Sequence, residues 1–107
     1  MTGSAKRIDK VQRKADIFRM VLEGATLAAT GRQFGVSGPA VRQLIGRIVS
    51  DIRGDLEERE QPAPISRGVR ELRENKGQWL VLVEEWQRRE IEDPGRHRRR
   101  PKQGGRR

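Results

Sequence analysis

Apolar residues recur at Ile8, Val11, Ala15, Phe18, Val21 and Leu22, in steps of three and four. That spacing predicts a helix over residues 6–23 with one apolar face. Lys6, Lys10, Arg13, Lys14 and Arg19 fall off that face, and Gly24 supplies the stop, because glycine takes the left-handed conformation cheaply there. A second pattern starts after Thr26, a predicted N-cap. It gives a short helix over 27–34 that buries Leu27, Thr30, Gly31 and Phe34. A third helix begins after Ser37 and buries Val41, Leu44, Ile45, Ile48 and Ile52, fraying near Gly54.

The break between the second and third helices is Gly35-Val36-Ser37-Gly38-Pro39. Gly35 meets the positive backbone dihedral of a tight turn. Val36 is expected to tuck beneath the turn, and Ser37 restarts the chain as a cap. Pro39 is tolerated in the first helical turn, where the amide has no helical acceptor. A small residue at Gly31 lets the two helices approach closely. Two short helices joined in this way form a helix-turn-helix, whose second helix enters the DNA major groove.

Beyond residue 56 the pattern weakens. EEREQPAP, residues 57–64, reads as a linker. Ile65, Val69 and Leu72 predict a short helix that stops at Asn75-Lys76-Gly77. The segment 78–92 carries Trp79, Leu80, Leu82, Val83 and Trp86. Its WLVLV centre fits a strand by alternation, but good helix formers continue through Glu92, so helix is preferred. The tail over 93–107 has no apolar residue and is expected to be disordered. The expected fold class is all-α. A helix-turn-helix domain spans 6–56, a linker 57–64, a helical dimerisation or interaction segment 65–92, and a basic tail 93–107.

Composition narrows the functional classes. Of the 107 residues, 33% are apolar and 36% charged, which supports only a small core. There is no cysteine, which excludes disulfides and thiolate metal sites. The most apolar run is broken by Arg19 and Glu23, so neither a signal peptide nor a membrane span is expected. The net charge of +9 is unevenly distributed. Residues 1–50 carry nine Lys/Arg against three acids, 51–93 eight against twelve, and 94–107 seven against none. A basic front and tail favour a polyanion partner, and a solubility tail remains the alternative for 94–107.

Residues 24–48, GATLAATGRQFGVSGPAVRQLIGRI, resemble the helix-turn-helix of sigma-70 region 4. The shared features are Thr26-Leu27, Gly31, Phe34, Val36, Ser37, Val41 and Arg42-Gln43. Gly38 and Pro39 stand where that family usually has charged residues. The overall plan is similar to small plasmid repressors of the KorA (TrfB) type, with GPAVRQLIGRI as reading helix and QWLVLVEEWQRRE as dimerising segment. Small terminase subunits also carry such a motif. These resemblances imply a cytoplasmic, nucleoid-associated regulator that binds double-stranded DNA as a homodimer. A phage packaging role, an architectural role, or docking on RNA polymerase are the alternatives.

Candidate residues follow from this frame. Arginine can bond guanine O6 and N7 together, and glutamine adenine N6 and N7, so Arg42 and Gln43 are candidate base readers. Ser37, Gly38 and Pro39 lie at a helix N-terminus that favours phosphate or a close backbone approach. Arg47, Arg32 and Gln33 are candidate phosphate contacts. Trp79, Leu82, Val83 and Trp86 are the candidate residues of a homodimer interface, although simple core is the default reading of the face that Trp79 and Trp86 share. His97 is the only histidine, and the acids are scattered. No enzyme, no metal and no cofactor is therefore expected. No effector pocket is legible in the pattern.

Overall fold

Every regular element in the described part of the chain is helical. The computed structural model describes residues 2–93. They form α1 (Thr2–Leu22), α2 (Leu27–Phe34), α3 (Gly38–Glu58), α4 (Val69–Glu74) and α5 (Lys76–Glu92). No strand occurs among the described residues. Apart from Asp93, the tail expected over 93–107 lies outside them.

The first helix begins at Thr2, earlier than the expected start at residue 6. It buries Val11, Ala15, Ile17, Phe18, Val21 and Leu22, whereas Ile8 is 39% exposed. Its end is closed as expected. Gly24 takes a φ of 116°, and the amides of Gly24 and Ala25 donate to the carbonyls of Val21 and Met20 at 3.0 and 3.2 Å. This pattern is the glycine-terminated helix end in which the chain reverses out of the helix.

The third helix does not fray at Gly54. It runs on to Glu58, and Ile52, Asp55 and Leu56 are all buried. A mid-helix glycine costs about 1 kcal/mol relative to alanine. Burying one leucine returns about 1.5–3 kcal/mol, so packing at Leu56 outweighs the local weakness. The helix ends with Glu60 in the left-handed region at φ 57°. The amides of Glu60 and Gln61 donate to Glu57 and Leu56 at 3.0 and 2.9 Å. The geometry repeats that at Gly24, without a glycine.

Residues 78–83 are helix. Trp79, Val83 and Trp86 are buried, while Val81 is 65% exposed. In a strand, 79, 81 and 83 would share a face. The exposure of Val81 between two buried neighbours is the signature of the helical period. The stop expected at 75–77 shrinks to Asn75, because α5 already begins at Lys76.

The last helix lies along α1 and touches α3. Trp79 meets Phe18 edge-on, with ring centroids 6.2 Å apart. The Trp86 indole donates to Asp51 of α3 at 3.2 Å. Arg19 donates to Gln87 at 2.7 Å, and Gln87 to Gln12 at 2.6 Å. Arg73 of α4 donates to the Val21 and Ala25 carbonyls at 2.9 and 2.7 Å, so it caps the end of α1. One core cluster joins α1, α3, α4 and α5. The apolar face of α5 is therefore buried within its own chain, chiefly against α1.

Candidate nucleic-acid interface

Local caps set the ends of α2 and the start of α3. Thr26 caps α2, its hydroxyl accepting from the Ala29 amide at 3.0 Å. Gly35 ends it at φ 74°, and both Gly35 and Val36 donate their amides to the Gly31 carbonyl. Ser37 is extended at φ −80° and ψ 160°, and its hydroxyl accepts from the Ala40 amide at 3.2 Å. Pro39 stands in the first turn of α3. Thr26 and Ser37 thus each satisfy an amide that the helix itself leaves free, and Gly35 and Val36 satisfy a carbonyl.

The turn backbone is seated directly on Gly31, which is buried between the two helices. A Cβ there would collide with the Val36 carbonyl oxygen and come within 3.1 Å of the Ser37 carbonyl carbon. Val36 was expected beneath the turn, but its residue is 37% exposed. The physical reason is the same contact. The Val36 carbonyl, not its side chain, fills the space over Gly31.

Around this turn the surface is basic and unpaired. Arg32 and Gln33 on α2, and Arg42, Gln43 and Arg47 on α3, are all exposed. Within the described residues no side chain of the five makes a hydrogen bond or ion pair. Gly38 is half-buried, 3.7 Å by its notional Cβ from the Ala28 amide, and Pro39 is exposed. Arg13 of α1 donates to the Phe34 carbonyl at the end of α2. This contact ties α1 to the turn, and Lys10 and Lys14 are exposed on the same helix.

Arg42 and Gln43 are not equivalent. With about 100° between successive residues, Gln43 stands opposite the buried Val41–Ile45–Ile48 stripe, next to Arg47 and Ser50. Arg42 lies on the flank of α3. There it lines a groove together with Leu27 of α2.

One sequence signal went unused. Residues 24–50 contain no Asp or Glu, and they coincide with α2, the turn and the front of α3. Asp51, Asp55, Glu57 and Glu58 all lie in the rear half of α3. The front of α3 therefore adds arginine charge to the partial positive charge of a helix N-terminus.

Of the residues expected at a homodimer interface, Trp79 and Val83 are 0% exposed and Trp86 4%. All three are covered within a single chain. Leu82 is half-buried against the same core. They are core residues of the protomer and offer a second copy little surface.

The groove beside α3 has a volume of about 990 Å³. It runs between the flank of α3 and residues 61–69, whose path over the helix no local pattern announces.

No helix among the described residues is long and apolar enough to cross a membrane. No protein-family model matches the chain, and no curated protein or solved structure matches it.

Proposed function

We propose that the chain is a helix-turn-helix DNA-binding protein that regulates transcription. In this reading α3 enters the major groove with its front half, and α2 crosses the phosphate backbone. The observation that carries the reading is the surface around the turn. Five exposed polar side chains without partners in the described chain are mounted on an acid-free stretch, and a turn seated on Gly31 fixes their helices. Gln43 and Arg47 face the bases and the adjoining backbone, and Arg42 reaches from the flank. Arg32 and Gln33 meet phosphates beside them. Ser37 serves the protein first, as a cap, and keeps its hydroxyl proton for a phosphate.

Regulation by occlusion of an overlapping promoter fits a small chain of this kind. The α5 residues expected to pair two chains are covered inside one, so each chain carries its own complete reading unit. The test is selection from a random duplex pool at near-physiological salt. Enrichment of a motif that depends on Arg42 and Gln43 supports the reading. Salt-sensitive binding with no enriched motif would reduce the protein to a nonspecific DNA binder.

A further inference from the structure

Of the residues that line the groove on the flank of α3, the DNA reading uses only Arg42. We infer that the groove binds a small organic acid with an apolar body, of the class of medium-chain carboxylates. Its volume of about 990 Å³ lies at the upper end of small-molecule sites, which run roughly 300–1,000 Å³. Ile45, Val49, Val69 and Leu72 give it an apolar floor. Arg53, Arg67 and Ser66 line one end, where Arg53 lies 3.5 Å from the Ser66 hydroxyl. Arg42 and Leu27 line the other.

Charge decides the class of occupant. Arg42, Arg53 and Arg67 make no ion pair within the described residues. Glu57 also lines the groove and has no partner among them, so the lining carries a net positive charge. A guanidinium donates two parallel hydrogen bonds to a carboxylate, and an apolar wall is best covered by an apolar body. Arg42 and Arg53 are eleven residues apart on one helix, which sets them roughly 16 Å apart along its axis. An elongated ligand with its acid at the Arg53–Arg67 end fits that length. A phosphate strand would leave the apolar floor uncovered.

Arg42 lines the groove and also stands at the edge of the surface proposed for DNA. A ligand that reaches it competes for its guanidinium and weakens DNA binding. This coupling rests on the DNA reading, whereas ligand binding does not. The two are tested separately, the ligand first and without DNA.

The experiment is calorimetric titration of the full chain with dodecanoate, below its aggregation concentration, with dodecanol as the uncharged control. The expected result is one saturable site per chain and no comparable binding of dodecanol. Arg53→Ala with Arg67→Ala weakens it at least tenfold, and Glu57→Gln tightens it. Gly46→Phe plugs the groove, because Gly46 lines it and an added Cβ there meets nothing within 4 Å. Circular dichroism and a melting curve establish that each variant is folded. Absence of saturable binding, equal binding of dodecanol, or binding unchanged in the double variant overturns the inference. So does a double variant that loses DNA affinity when the parent binds no carboxylate, for then the groove is a phosphate contact. A parent that binds dodecanoate but no DNA keeps the site and removes only the coupling.

Discussion

Gly31 lies under the Val36 carbonyl so closely that no side chain fits between them. The turn cannot lift without breaking the two hydrogen bonds that the Gly35 and Val36 amides donate to the Gly31 carbonyl. Gly31→Ala gains helix propensity of about 1 kcal/mol but forces backbone against backbone. Overpacking of this kind costs about 1–3 kcal/mol, so the net effect is loss. The check is urea denaturation of Gly31→Ala beside Gly46→Ala, a helical glycine with open space around it. Gly46→Ala is expected to stabilise. If both substitutions stabilise, the close approach at Gly31 is wrong.

The burial of Trp79 against Phe18 makes α5 part of the same folding unit as α1. Trp79→Ala is expected to cost about 3–5 kcal/mol, enough to unfold a small domain of ordinary stability. Because the core is closed within one chain, the parent's thermal midpoint should not rise with protein concentration. A midpoint that falls as the protein is diluted a hundredfold would mean that a second copy contributes to the core.

The parts of the fold that were legible are those set by local rules. Gly24, Thr26, Gly35 and Ser37 act on their own neighbours, and each ends or starts a helix where the sequence places it. What was not legible depends on distant packing. Gly54 looks like a stop until Leu56 is known to be buried. The apolar face of α5 does not name α1 as its partner, and so was expected at a dimer interface. Residues 61–69 show no sign that they will wall a groove on α3. The exposed positions at 32, 33, 42, 43 and 47 were legible as polar, but their lack of partners among the described residues is visible only in three dimensions.

Glu60 occupies the left-handed region at φ 57° where Gly24 holds the equivalent place after α1. A side chain there costs about 1–2 kcal/mol that glycine avoids. The extra unfolded-state entropy of glycine takes back part of that gain. Glu60→Gly is therefore expected to stabilise by about 1 kcal/mol, or about 4–8 °C in Tm for a domain of this size. Calorimetry reads the shift directly. A lower Tm would mean that the Glu60 side chain contributes more than its backbone costs.

Arg42, Gln43 and Arg47 divide the proposed DNA surface into two kinds of contact, and their variants should separate the two. Gln43 stands farthest from the core on α3, so Gln43→Ala should relax preference at one base position by about 1–3 kcal/mol. Arg42 reaches in from the flank, and Arg42→Ala should relax a neighbouring position by a similar factor. Arg47 is proposed to meet phosphate. Arg47→Ala should weaken binding to all sequences alike and reduce the slope of log affinity against log salt by about 1. Binding isotherms at several salt concentrations, on a selected site and on a scrambled one, distinguish these outcomes. The three side chains are exposed, so none of these substitutions should disturb the melt. If Gln43→Ala changes affinity for both duplexes equally, α3 does not read bases. The acid-free surface would then act only as a cationic face for the backbone.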